Sequence, residues 1–197
     1  MKLTFAVVMS ATLTVLGGCA AAQPASPSPD PTQVSPPSSR LNIPTVPQPL
    51  DASALTADPC GLLSEANRAE LGLPTDAQDN TAGRIACDLH SGAPGSKPLE
   101  YVRIQVMSDR GLTGIYAQCG TSASARCDTW TLDSLAGYPL IRANGETERR
   151  FGSCKQFLGI SDRATILINE VKTGRSTAPD CGRADRVATM VVENLNR

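Results

Sequence analysis

Few residues in this 197-residue chain have both the type and the spacing to do chemistry, and its single histidine is the natural starting point. His90 is flanked by Asp88 and Ser91, the three residue types of a nucleophilic hydrolase. On a strand, Asp88 and His90 share a face while Ser91 falls on the other. A triad is defined by geometry and roles rather than by neighbourhood, and no Gly-x-Ser-x-Gly elbow occurs. An exported hydrolase using His90 is therefore the alternative reading, and a solvated histidine at a strand end is the plainer one. Asp109, Asp128, Asp133, Glu146 and Glu170 could supply paired carboxylates for glycoside hydrolysis, but their spacing selects no pair. No Gly-x-x-x-x-Gly-Lys-Ser/Thr phosphate loop is present.

Binding has slightly more material. Arg142, Arg149 and Arg150 cluster around an expected hairpin turn, where they could meet an anionic wall polymer, a lipid head group or a protein partner. Glu146 and Glu148 lie among them, so a solvated, balanced loop is the plainer reading. Few aromatic residues are available for stacking on sugars or bases, and Trp130 is the one candidate for an exposed binding contact. The formal net charge of -1 leaves no basic stripe for nucleic acid.

The seven cysteines divide into one and six. Cys60, Cys87, Cys119, Cys127, Cys154 and Cys181 form an even set, which in an exported protein reads as three disulfides, although six cysteines allow 15 pairings. No Cys-x-x-Cys pair occurs, and one histidine leaves little for a mixed site, so no metal and no cofactor are expected. Cys60 and Cys181 each precede an expected helix, Cys87 and Cys154 each open an apolar run, and the two separations are equal. The preferred pairing is Cys60–Cys87, Cys154–Cys181 and Cys119–Cys127; Cys60–Cys181 with Cys87–Cys154 is the alternative.

Cys19 belongs to a different argument. Met1-Lys2 is followed by an uncharged apolar run from Leu3 to Leu16, then Gly17-Gly18-Cys19. That run is shorter than the roughly 20 residues a spanning helix needs and fits a secretory signal over residues 1–18. Leu16-Gly17-Gly18-Cys19 resembles the lipobox of bacterial lipoproteins, which implies acylation of the Cys19 thiol and cleavage before it. A plain signal peptide cut near Ala20–Ala22 is the simpler alternative. Residues 19–50 read as the lipidated cysteine and a tether: nine of the 15 prolines lie here, interleaved with Ser and Thr. Proline removes backbone donors and favours extended polyproline II, at about 3.1 Å per residue.

Residues 51–197 must position whatever chemistry there is. Ser64 can cap a helix through Leu71, with Gly72 as its stop. Ala86–His90 reads as a strand, and Tyr101–Val106 alternates so that Val102, Ile104 and Val106 face a core. Leu112–Gln118 reads as a short helix; Trp130 and Leu132, then Tyr138–Arg142, mark strands. Residues 146–150 read as a charged loop after an Asn144-Gly145 turn, and Lys155–Ile160 with Ala164–Val171 as a hairpin. Ala184, Val187, Ala188, Val191, Val192 and Leu195 make one apolar helical stripe, with Asp180 as the expected N-cap. The expected fold is α+β: a single disulfide-stapled domain, an antiparallel sheet with an N-terminal and a C-terminal helix packed on it.

These landmarks resemble a family of actinobacterial lipoproteins known only as a domain of unknown function, DUF3558. The likeness rests on the lipobox, the Pro/Ser tether, Asp58-Pro59-Cys60-Gly61-Leu62-Leu63 leading into a helix, Cys87, Ala136-Gly137-Tyr138-Pro139, Cys154, and Asp180-Cys181 before the last helix. Leu89 stands where the family often has Trp, and Cys119/Cys127 exceed its usual four cysteines. The resemblance implies an anchored extracytoplasmic domain at the cell membrane and no activity. Together the residues point to a noncatalytic binding or protein-interaction module, held to membrane lipid through acylated Cys19, with an envelope protein or wall polymer as its partner.

Overall fold

A computed structural model of the chain describes residues 42–80, 84–92, 100–118, 130–173 and 180–197. The expected Cys119–Cys127 pair, Asp128, Cys19, the signal and most of the tether lie outside the described residues.

Among the described residues, seven strands form one antiparallel sheet, β1 (Thr75–Asp79), β2 (Ile85–His90), β3 (Tyr101–Met107), β4 (Trp130–Leu135), β5 (Tyr138–Ala143), β6 (Cys154–Gly159) and β7 (Thr165–Val171), in the order β1-β2-β3-β7-β6-β5-β4. The sheet is thus two meanders, β1–β3 and β4–β7, joined along the β3/β7 seam. Alternation fixes its faces. Across the centre, Cys87, Ile104, Ile168, Gln156 and Arg142 stand in one row, and Leu89, Val102, Glu170 and Cys154 stand in the next. These rows point to the same face, because successive strand residues alternate and the rows are two residues apart.

Helix α5 (Gly182–Leu195) lies on that face and contacts β7, β6 and β4. Its Ala184, Val187, Ala188, Val191 and Val192 are buried, the stripe expected from the sequence. The expected N-cap is displaced by one residue. Cys181 holds the cap position without a side-chain capping bond, while Asp180 Oδ1 accepts from the Gly182 N–H, so the aspartate still satisfies a first-turn donor. Helix α2 (Glu65–Glu70) starts at Ser64, whose Oγ accepts from the Asn67 N–H. It buries none of its own residues; its flanks Leu63, Leu71 and Leu73 enter the core instead. Helix α1 (Ser53–Ala57) adds Leu55.

The sheet's other face carries α3 (Leu112–Ala117). A Cβ on Gly159 would lie 2.7 Å from Leu112 Cδ1, so the bare backbone of β6 is what lets this helix approach. Three elements depart from the sequence expectation, the first being α1, which lies where no element was expected. Residues 146–150, expected as a charged loop, form α4 (Glu146–Phe151). Its acidic residues occupy the first turn and its basic residues the last, in accord with the helix dipole, and Gly152 ends it at φ 66°. Strand β1 was not expected because Thr-Asp-Ala-Gln-Asp has no apolar alternation; it is an edge, and polar residues suit an edge.

Among the described residues two disulfides tie segments that lead into helices to strands. Cys60 joins Cys87 and Cys154 joins Cys181, with Cα–Cα distances of 5.1 and 5.2 Å. Each closes a loop with a sequence separation of 27. Restriction of the unfolded chain by such a loop stabilises by about 3–4 kcal/mol. Replacing Cys154 and Cys181 together by Ser should lower the urea-derived stability by roughly that amount; an unchanged unfolding midpoint would show that the staple adds nothing to the fold. The β4–β5 hairpin turns on Ala136 and Gly137, with φ of 50° and 83°. Two positive φ values are what a type I′ turn requires, and Ala136 bears a Cβ there at a cost of about 1 kcal/mol. Ala136→Gly should therefore raise the melting temperature by a few degrees; a lower one would contradict the turn assignment.

Candidate functional site

The face of the sheet beneath α5 is not wholly apolar. Glu170 follows Ile166 and Ile168 at alternate positions of β7 and has 0% exposure. A buried carboxylate must be paired, and the first turn of α5 supplies the partner. Arg183 Nε donates to Glu170 Oε1 at 2.8 Å, and Arg183 Nη2 donates to Glu100 Oε2 at 2.7 Å. Lys172 Nζ lies 3.4 Å from the same Glu170 Oε1 and donates to Asp180 Oδ2 at 2.9 Å. Burial works against the charge of Arg183, yet the Glu100 and Glu170 carboxylates outweigh it and hold the guanidinium above its ordinary value.

These groups line an open cleft of about 510 Å³, with Leu71 on one wall and Arg186 at the rim. Two groups beside it lack a partner among the described residues. Glu170 Oε2 is buried and receives no hydrogen bond there. Arg186, one helical turn beyond Arg183, is exposed, and no ion pair engages it among the described residues.

The sequence-derived candidates fall elsewhere. Arg142 reaches under α5, donating to Asp185 Oδ1 at 2.7 Å, Gln156 Oε1 at 3.2 Å and Asp133 Oδ2 at 3.0 Å. It pins β5, β4 and β6 to the helix. Arg149 donates to the Asn144 carbonyl, and the Arg150 guanidinium lies 5.6 Å from the centre of the Phe151 ring. The three arginines thus take separate partners. Trp130 is half-buried on the α3 side of the sheet, its ring 6.4 Å from that of Tyr116 and 5.9 Å from that of Phe157.

His90 ends β2 with its ring 6.0 Å from that of Tyr101 and a buried Nδ1 that has no hydrogen-bond partner among the described residues. Both oxygens of Asp88 accept from Arg103, which also bonds Asp79. The Ser91 hydroxyl donates to the Glu100 carbonyl. The neighbours that invited a triad are each committed to other groups. Cys60, Cys87 and Asp76 bring three metal-ligating side chains together, their ligand atoms within 4.8 Å of one another, but the two sulfurs are bonded to one another and offer no thiolate. Glu100 and Arg183 were not foreseen. The signal that could have led to them is a carboxylate at the third inward position of Ile166-x-Ile168-x-Glu170, which demands a cation from some other element.

A seven-stranded antiparallel sheet, two helix-to-strand disulfides and a polar cleft at the start of the last helix define a stapled α+β domain with a small charged site. The family described as "Protein of unknown function (DUF3558)" matches residues 14–194, and the chain belongs to it. No curated protein and no solved structure matches the chain. Among the described residues no helix is long and apolar enough to cross a membrane.

Three carboxylates outside the buried pair make stability depend on pH. Asp133 lies below its ordinary value because the Ser134 backbone N–H, and then Arg142, bond its anion. Asp180 lies below because Lys172, and then the Gly182 N–H, do the same. Burial pushes Glu148 up, but Lys155 at 2.9 Å and backbone N–H groups more than offset it. Each folded value is depressed, so the unfolded chain binds protons more readily. The contribution is complete above the unfolded carboxylate range, near about 4, and is lost as pH falls through the folded values below it. Asp133 and Asp180 are largely exposed and add little; Glu148 is the better-shielded member. Urea midpoints should fall from pH 6 toward about pH 2.5, and less so in Glu148→Gln. A wild-type midpoint that is flat or rises on acidification would contradict these pairings.

Proposed function

We propose that the chain is an extracytoplasmic lipoprotein, anchored to membrane lipid through acylated Cys19, that acts as a noncatalytic binding module at the cell envelope. The single observation that carries the binding reading is the cleft at the start of α5. It is lined by charged side chains, and its rim holds Arg186, an exposed cation that no anion among the described residues engages. Leu16-Gly17-Gly18-Cys19 and the proline-rich stretch after it support the anchoring. Two or three acyl chains give stable attachment where one is marginal. On this reading the tether carries the domain away from the bilayer and the cleft meets an envelope protein or wall polymer.

Two measurements test it. Expressed in a bacterium that processes lipoproteins, the chain should incorporate an alkyne-tagged fatty acid and partition with membranes after a high-salt wash, and Cys19→Ser should lose both properties. Label retained by the Ser variant would place the acyl group elsewhere and overturn the anchor. Immobilised, oxidised protein should retain envelope material, and Arg186→Glu should release most of it. Retention indifferent to that charge reversal would remove the cleft from the binding reading.

A further inference from the structure

Asn144-Gly145, a turn signal in the sequence, carries a chemistry of its own. An asparagine closes most readily on its own backbone when glycine follows it, because glycine leaves the next nitrogen unshielded by a side chain. The Gly145 nitrogen attacks Asn144 Cγ, the Cγ–Nδ2 bond breaks, and ammonia leaves with the amide proton. Water then opens the succinimide at either carbonyl and gives aspartate or isoaspartate. The fold restrains the groups on both sides of this reaction. Asn144 Oδ1 accepts from the Lys155 N–H at 2.9 Å, and Nδ2 donates to Cys181 Sγ at 3.6 Å. The Gly145 N–H donates to the Glu148 carboxylate, whose Oε2 lies 3.1 Å from where a Gly145 Cβ would stand. A nitrogen that loses its proton beside that carboxylate meets a like charge, which opposes the loss.

We propose that Asn144 is a latent modification site that the Cys154–Cys181 disulfide keeps closed and that loss of this disulfide opens. The two partners of the Asn144 carboxamide belong to the two ends of that staple. Lys155, the donor to Oδ1, follows Cys154, and the acceptor for Nδ2 is the Cys181 sulfur itself. While the sulfur bond stands, donor and acceptor are locked together, and the carboxamide can move onto the Gly145 nitrogen only by giving up both contacts. A thiol reductant, itself oxidised to a disulfide, leaves Cys154 and Cys181 as separate thiols and slackens the start of β6 against α5. The other staple, Cys60–Cys87, sits on β2, separated from β6 by β3 and β7, and takes no part in these contacts. Conversion then outlasts the reduction that allowed it. Isoaspartate inserts a methylene into the backbone between β5 and α4, so the Arg149 bond to the Asn144 carbonyl and the Lys155 bond to its side chain lose their register. Reoxidation restores the sulfur bond but not the carboxamide, and a reversible redox event becomes a permanent mark in the chain.

The test incubates the full chain in detergent micelles at mildly alkaline pH and reads Asn144 conversion by peptide mapping and mass spectrometry. The oxidised wild type should convert about tenfold or more slowly than the same chain reduced and unfolded in urea, and Cys154→Ala with Cys181→Val should remove most of that protection. Cys60→Ala with Cys87→Val discards a staple of the same sequence separation, 27, and should leave conversion within about twofold of the wild type. Adding Gly145→Ala to the variant without Cys154–Cys181 should slow conversion severalfold, since a side chain then shields the nitrogen. Circular dichroism reports whether each variant is folded. If the variant without Cys154–Cys181 is not, Glu148→Gln with both staples intact carries the test: removing the charge beside the Gly145 nitrogen should quicken conversion by about threefold or more. An unchanged rate in that variant overturns the proposal. So does wild-type conversion as fast as in urea, an unchanged rate in the folded variant without Cys154–Cys181, or an equal rise on loss of Cys60–Cys87.

Discussion

The pairing of Glu170 with Arg183 ties together parts of the chain that no apolar contact would need to bring into one place. A carboxylate without solvent exposure costs several kcal/mol unless a cation meets it, and Glu170 sits in a row between Val102 and Cys154, where strand neighbours offer none. Lys172, two residues further along the chain, approaches to 3.4 Å, and the closer cation comes from above, which requires α5 to begin over β7 and not a turn further on. Cys154, the residue paired across from Glu170, is bonded to Cys181 immediately before that helix. The covalent staple thus delivers Arg183 to the carboxylate beside it. Because Arg183 also holds Glu100, the residue preceding β3, one guanidinium spans the seam where the two meanders meet.

The same logic explains why α5 is zoned along its length. Its first turns carry Arg183 and Asp185 toward the sheet, where Glu170 and Arg142 await them. From Val187 to Val192 the inward side chains are aliphatic. Aliphatic packing tolerates sliding of a helix along its axis, whereas two bidentate or bridging arginines do not. Ion networks of this kind add little net stability over a hydrophobic replacement. Their effect here is positional: they set where the helix begins, and so where Arg186 and the rim of the cleft lie.

This division also decides how much the sequence could disclose. Strand β3, the β6–β7 hairpin and α5 were legible because each has an uninterrupted apolar period. Strand β1 was not, since an edge with one polar face and no core role carries no period. The charges of α4 concealed a helix whose dipole they complement, because a run of mixed charge between turn residues reads equally as loop. For the site, proximity in sequence misled: Arg142, Arg149 and Arg150 are close in the chain, but strand pleat and helix send them to different partners. The residues that do converge come from the start of β3, the end of β7 and the first turns of α5, as far apart as 83 positions for Glu100 and Arg183. Only the charged residue at an apolar position of β7 was visible beforehand, and its partner could not be read without the topology.

An open, charged cleft would support modest affinity, since each exposed contact is screened and a small ligand brings few atoms. Such a site becomes effective through restraint on both sides. The frame is cross-linked: Glu170 is held by Lys172 and Arg183, and the helix start by a disulfide, which would limit the ordering that binding costs. The surroundings, on the proposed reading, are confined as well. A domain tethered to a membrane would sample a thin layer and meet the same envelope components repeatedly. Tethering raises effective concentration without any new contact, so individual engagements can remain weak and reversible while the population of domains stays bound.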